Sequence, residues 1–354
     1  MHSPMCEPGD MRLIKTLIVD DSAFVRKVIR EMLSSNPYIE VVGSARNGTD
    51  ALGMAATLKP DVITCDLDMP ELDGVEFVKA QMARRPTPII ILTASPQDTH
   101  QVIDALEAGA VDFVRKPTAL ASDTLRLIRE ELIEKVKAAA AVNLRAAPPI
   151  RPALAPAVAS AREARNFGIV LLGISTGGPQ ALRYLLPQFE RDFPVPLVVV
   201  LHMPVGYTHP FAEKLAEISR LPVKEAFEGC PVVAPQALLA PAGRHLCFQR
   251  DPAGQVKIRL SHHPRGKPHK PSVDVMFQSA AEIYGKRVLG VVMTGMGNDG
   301  TEGAAWVKAQ GGMILTESEE SCTVYGMPRC VVEAGLSDGV VSLVSMTMEI
   351  NNRL

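Results

Sequence analysis

From residue 15 the chain alternates short apolar runs with amphipathic stretches, and no other feature narrows the fold as far. TLIVDD (16–21) reads as a strand and SAFVRKVIREMLSS (22–35) as a helix. IEVVGSA (39–45) and NGTDALGMAATLKP (47–60) repeat the pair. DVITCD, GVEFVKAQMARR, PIIILTA, a helical spacing from Thr99 to Ala110, and VDFVRKP continue it. A helix is expected from about Ala119 to Ala140. Strands that alternate with helices predict a parallel sheet covered on both faces.

Residues 139–165 break the pattern. KAAAAVNLRAAPPIRPALAPAVASAREARN is rich in Ala and Pro, and Pro148, Pro149, Pro152 and Pro156 rule out one continuous helix. A second alternating series begins at Phe167. FGIVLLGI, VPLVVVL, ALLAPAG and KRVLGVVMTG are continuous Val/Ile/Leu runs, the pattern of strands buried on both faces. GPQALRYLLPQF and HPFAEKLAEIS read as helices between them. The expectation is an α/β protein with two domains and a linker: 12–138, 139–165 and 166–350. The length of 354 residues agrees with roughly two domains.

Acids stand at the ends of the N-terminal strands. Asp20 and Asp21 end the first, and Asp66 ends the third. Strand ends of a parallel sheet share one crevice at its carboxyl edge. Three carboxylates there repel one another unless a hard, oxygen-liganded cation such as Mg²⁺ neutralises them. Thr93 ends the fourth strand and Lys116 follows the fifth. The set could accept and stabilise a phosphoryl group. The plainer alternative, that each acid caps the next helix, explains any one of them but not all five positions together.

LIVDDSAFVRKVI, CDLDMPELDGVEF, ILTAS and VRKP resemble a response-regulator receiver domain. The resemblance implies a flavodoxin-like (βα)5 fold and phosphorylation of Asp66 by a histidine kinase. It also implies Mg²⁺ among Asp20, Asp21 and Asp66, with Thr93 and Lys116 on the phosphoryl group.

The second series offers different chemistry. Gly173-Ile174-Ser175-Thr176-Gly177-Gly178 follows one strand and opens a helix, the context in which G-x-S-x-G exposes a nucleophile. His202 follows VPLVVVL, and Asp299 lies in TGMGNDG after another strand. Each has an ordinary alternative: a helix-capping serine or phosphate loop, a structural histidine, a turn-forming aspartate. Their common place at strand carboxyl ends favours a triad instead. The chain order is Ser–His–Asp, which excludes the α/β-hydrolase order Ser–Asp/Glu–His.

GISTGGPQAL, LHMPVGYTHPFAEKL, LLAPAGRHL, KPSVDVMFQSAA, GVVMTGMGNDGTEGA and ESCTVYGMPR resemble the CheB family of protein-glutamate methylesterases. The resemblance implies a doubly wound, mostly parallel sheet with Ser175 as nucleophile, His202 as base and Asp299 as orienting acid. Thr176 and Met296 would lie near the pocket, with no cofactor in the hydrolase site. Ile174 and Ala242 stand where the family usually has alanine and glycine, which bears on substrate fit. The implied substrates are glutamyl methyl esters, and glutamine amides, on methyl-accepting chemotaxis receptors. The receiver would restrain the hydrolase until phosphorylated.

Other signals are weaker. The formal net charge of -2 gives no reason to expect nucleic acid. HHPRGKPHK (262–270) is basic but lacks interleaved aromatics; a solvated loop or a contact with acidic receptor surface are its two readings. Six cysteines without a C-x-x-C pair suit reduced thiols. No apolar run reaches the ~18 residues of a membrane span, and MHSPMCEPGDMRLIK has no signal core, so no membrane insertion and a cytoplasmic location are expected. Two rivals remain. A DNA-binding output domain would be short, helical and basic, unlike this Val-rich series. A non-catalytic module is disfavoured by the intact Ser175, His202 and Asp299.

Overall fold

The computed structural model describes residues 13–94, 98–116, 122–142 and 166–354, with backbone alone for 122–124. The chain divides into two compact units, 1–142 and 143–354, taken separately below.

The first unit runs β1 (Ile14–Val19), α1 (Ala23–Ser34), β2 (Ile39–Ala45), α2 (Gly48–Leu58), β3 (Val62–Asp66), α3 (Gly74–Arg84), β4 (Ile89–Thr93), α4 (Thr99–Glu107), β5 (Asp112–Arg115) and α5 (Ser122–Ala140). The strands form one parallel sheet in the order β2-β1-β3-β4-β5. Leu17, Ile18 and Val19 of β1 and Ile89 to Leu92 of β4 are wholly buried, as strands covered on both faces require. Local chemistry starts the helices. Asn47 and Asp73 accept the Asp50 and Glu76 amides at 2.7 and 2.9 Å, which satisfies donors that the first helical turn leaves open. The last helix ends at Ala140, inside the expected linker; 143–165, the rest of that segment, lie outside the described residues, as do 119–121 of the expected helix.

The second unit runs β6 (Ile169–Ile174), α6 (Gly178–Leu185), β7 (Leu197–Leu201), α7 (Thr208–Ile218), β8 (Val223–Glu225), β9 (Ala237–Leu239), β10 (His245–Arg250), β11 (Val256–Ser261) and α8 (Val273–Tyr284). Then come β12 (Val288–Val292), α9 (Thr301–Ala309), β13 (Met313–Glu317), α10 (Met327–Glu333), β14 (Gly339–Val341) and α11 (Leu343–Arg353). Seven strands form a parallel sheet in the order β14-β13-β12-β6-β7-β9-β8. The order turns back between β6 and β12, which creates the crevice where doubly wound sheets keep their sites. β10 and β11 pair antiparallel as a separate ribbon, which the strand-helix reading of the sequence does not contain. Phe248 and Ile258 of that ribbon are buried in the same core as Met276 and Phe277 of α8. Burying side chains of this size contributes about 1.5–3 kcal/mol each. Among the described residues, no helix is long and apolar enough to cross a membrane.

Candidate functional sites

In the first unit the sheet turns back at β1, between β2 and β3, and the acids meet there. Asp20 and Asp66 are buried and Asp21 is exposed; ligand oxygens of all three lie within 4.8 Å of one another. The Lys116 ammonium reaches Asp20 Oδ2 at 2.8 Å and Asp66 Oδ2 at 2.7 Å. The Leu67 amide donates to Asp66 Oδ1 at 2.8 Å. Burial pushes the Asp66 carboxyl up to about 6, against the hydrogen bond and charge of Lys116. Thr93, at the end of the adjacent β4, donates to Asp98 Oδ2 at 3.0 Å. Gly74 permits the loop after Asp66 to close, because a Cβ there would lie 2.2 Å from the Asp66 carbonyl oxygen. Three oxygen donors and a lysine suit a hard divalent cation and a phosphoryl group.

In the second unit Ser175 directly follows β6 and His202 directly follows β7. Ile174 and Leu201 are register partners, so the serine and histidine leave neighbouring strands at the same level. The His202 amide donates to the Ile174 carbonyl at 3.1 Å, which keeps the two backbones at strand spacing, about 4.8 Å. Small residues make the turn possible. Gly177 has φ +79°, and a Cβ on it would lie 2.3 Å from Thr323 Cβ. A Cβ on Gly295 would lie 2.7 Å from that of Ser175. The turn delivers the chain into α6, whose N-terminal amides form an electropositive end beside the serine.

Asp299 lies in the loop after β12, on the other side of β6 from β7. Its Oδ2 meets His202 Nε2 at 2.9 Å and accepts the Val273 amide at 2.8 Å. Its Oδ1 accepts the Ser272 hydroxyl at 2.8 Å and the Asp274 amide at 3.0 Å. Burial opposes its ionisation, but His202 and these donors outweigh that and hold the carboxyl well below the usual range. With Nε2 committed to Asp299, the buried Nδ1 of His202 has no protein partner among the described residues. The arrangement can take a proton at Nδ1 while Asp299 stabilises the imidazolium. Thr176 is buried in the turn, where its carbonyl accepts from the Thr294 hydroxyl at 2.9 Å. Met296 is half-buried in the 293–300 loop that carries Asp299.

The structure adds residues that the sequence reading did not single out. Ser272 caps α8 and braces Asp299 at once. Asp274 accepts the Gly300 and Gly303 amides, each at 2.8 Å, and so ties the Asp299 loop to α8. Burial raises its carboxyl pKa, against the Lys267 ammonium at 2.9 Å. His269, from the basic 262–270 run, stacks on His202 with centroids 4.0 Å apart and planes 16° apart. An S-x-D step at the start of a helix could have pointed to Ser272 and Asp274; His269 lies in the basic run that the sequence reads as a solvated loop or a receptor contact.

Comparison with known proteins identifies the family. The family description "CheB methylesterase" matches residues 170–350, and "Response regulator receiver domain" matches 16–127. A Myxococcus xanthus relative named protein-glutamate methylesterase/protein-glutamine glutaminase 5 is 46% identical, over 94% of this chain and 96% of its own. A Symbiobacterium thermophilum relative with the same enzyme name is 43% identical, over 95% of each chain. The Thermotoga maritima CheB methylesterase catalytic domain, a crystal structure, superposes with a TM-score of 0.52 and 38% identity, over 53% of this chain and 99% of that one. With both descriptions matched in order and near full-length identity to such relatives, this chain belongs to the CheB methylesterase family and carries a response regulator receiver domain ahead of its catalytic domain.

Proposed function

We propose that this protein hydrolyses glutamyl methyl esters on methyl-accepting chemotaxis receptors, and glutamine side-chain amides at such sites, under control of Asp66 phosphorylation. The observation that carries the reading is the meeting of His202 with Asp299 at 2.9 Å beside a serine on the neighbouring strand end. Ser175 attacks the side-chain carbonyl. His202 takes the serine proton at Nδ1 and later gives it to departing methanol or ammonia. Asp299 holds the imidazole in the tautomer that leaves Nδ1 able to accept. Backbone amides at the elbow and the α6 N-terminus stabilise the oxyanion, and water then releases glutamate. Thr176 and Met296 lie near the pocket in this reading.

In this reading residues 12–138 are the receiver, 139–165 a linker and 166–350 the hydrolase, and the enzyme works in the cytoplasm. Asp66 accepts the phosphoryl group from a chemotaxis histidine kinase. Asp20, Asp21 and Asp66 would hold Mg²⁺, which when bound would supply positive charge to offset that of the phosphoryl oxygens. Lys116 and Thr93 contact the phosphoryl group once it is in place. Phosphorylation turns the Asp66 carboxylate into an acyl phosphate that carries about -1.5 to -2 charge, and that change biases the receiver between two states.

The test is methanol release from methylated receptor fragments, with and without a small-molecule phosphodonor and Mg²⁺. Intact protein should release methanol faster with phosphodonor, Asp66→Asn should lose that response, and Ser175→Ala should release none above background. Release independent of Ser175 would sink the assignment.

A further inference from the structure

Glu317 ends β13, is completely buried, and has no part in the chemistry above. A carboxylate at an apolar strand end is costly to bury unless donors hold it. Here they do. Its Oε2 accepts the Thr294 amide at 2.9 Å and its Oε1 accepts the Ser321 hydroxyl at 3.0 Å. Thr294 then touches the nucleophile turn twice. Its carbonyl accepts the Ser175 amide at 3.0 Å, and its hydroxyl donates to the Thr176 carbonyl at 2.9 Å. That hydroxyl also accepts the Val324 amide at 2.9 Å, which ties in the segment facing Gly177. A single residue, Thr294, therefore stands between a buried acid and the backbone that aims the nucleophile.

We infer that Glu317 is a positioning residue for acyl transfer: through Thr294 it sets the backbone of Ser175 and Thr176, and its charge state changes how firmly that backbone is held. The inference rests on the serine-hydrolase reading of the site. Burial pushes the Glu317 carboxyl up to about 7, against donors from Thr294, Ser321 and Cys322. The group thus changes charge near neutrality. The titratable group facing it from the 318–326 segment is Cys322, raised first by burial and then by the charge of Glu317, with Glu319 and Glu320 adding to it. The β12 side presents Thr294, and β14 presents Val341, its register partner; neither titrates. When ionised, Glu317 holds the Thr294 amide by a charge-assisted bond, the stronger kind. When protonated, it holds the amide by a neutral one. The ionised form is the better organiser, so kcat gains as Glu317 loses its proton.

The experiment measures kcat and KM of the full-length protein on methylated receptor fragments from pH 5.5 to 8.5. It compares intact protein with Glu317→Gln and Glu317→Ala, beside Ser175→Ala. Dividing intact by Gln values cancels every pH effect that the two proteins share. The kcat ratio should rise from about one at low pH to about fivefold at high pH, with KM unmoved. Its midpoint should fall near the about 7 of Glu317. Glu317→Ala, which leaves the Thr294 amide without an acceptor, should lower kcat about 10–100-fold, and Gln should restore most of that. If the Ala variant does not fold, the Gln ratio decides alone. A ratio flat with pH, in an enzyme that needs Ser175, overturns this inference and leaves the hydrolase intact. Turnover that survives Ser175→Ala overturns both.

Discussion

At the scale of single residues, the site works by committing each polar atom. Asp299 accepts four bonds and donates none, so it stays ionised and can only hold His202 in one tautomer. Asp299→Asn would reverse that tautomer, and kcat should fall about 10⁴-fold with little change in KM, as steady-state kinetics would read. Ser175→Ala should lower kcat by roughly 10⁶; residual turnover within tenfold of the intact enzyme would contradict the assigned nucleophile. Glu317 makes a separate prediction about stability. Its folded carboxyl sits at about 7 against an ordinary 4.5, so folding takes up a proton between those values. Its contribution is full below about pH 4.5 and is lost as pH rises through about 7. Relative to intact protein, Glu317→Gln should therefore gain roughly 3 kcal/mol of unfolding free energy between pH 4 and 8, measured by urea titration. The acids at 20, 21 and 66 and residues 175 and 202 could be picked out because each stands at the end of an apolar run, and Asp299 because its Gly/Asn loop follows one. Glu317 also ends such a run, MILTE, but one glutamate before two more in ESEE looks like surface charge.

At the scale of elements, both units solve the same problem in the same way. A parallel sheet whose strand order turns back leaves a gap between two diverging loops. In the first unit the gap opens beside β1, and Asp20 and Asp66 flank it; in the second it opens between β6 and β12, and Ser175 and Asp299 flank it. The elbow after β6 depends on backbone conformations that side chains disfavour. Gly177→Ala should cost more than about 2 kcal/mol, since it adds a left-handed non-glycine residue to a steric clash with Thr323. A lowered Tm together with lost esterase activity would show this; an unchanged Tm would mean the 323–326 segment yields. The parallel strands and their helices were readable because their periodicities differ. The β10–β11 ribbon was not, because HLCFQR and VKIRLS are short and only partly apolar, and they lie outside the parallel sheet, packed against the helix that follows them, α8.

At the scale of the whole molecule, the chain joins a phosphoacceptor to a hydrolase. The switch is a matter of coupling free energy between the two, typically 1–3 kcal/mol or about 5–150-fold. Deleting residues 1–140 should raise basal methanol release by a factor in that range and abolish the response to phosphodonor. Unchanged basal release would mean that the receiver activates without first restraining.

The order of apolar runs and breakers determined the two α/β units and their strand-end residues, because parallel strands buried on both faces can be read from continuous Val/Ile/Leu stretches. Family motifs implied roles for those residues. The tertiary structure alone decided which strands are neighbours, and hence that Ser175 and His202 leave paired strands while Asp299 arrives from the far side of β6. It alone placed His269 on His202 and Glu317 behind Thr294. The reason is physical. Periodicity reports whether a residue is covered, which depends on its own few neighbours in sequence. A stacked ring, or a buried acid held by a distant amide, depends on strand order, and strand order is set by how the complete sheet packs.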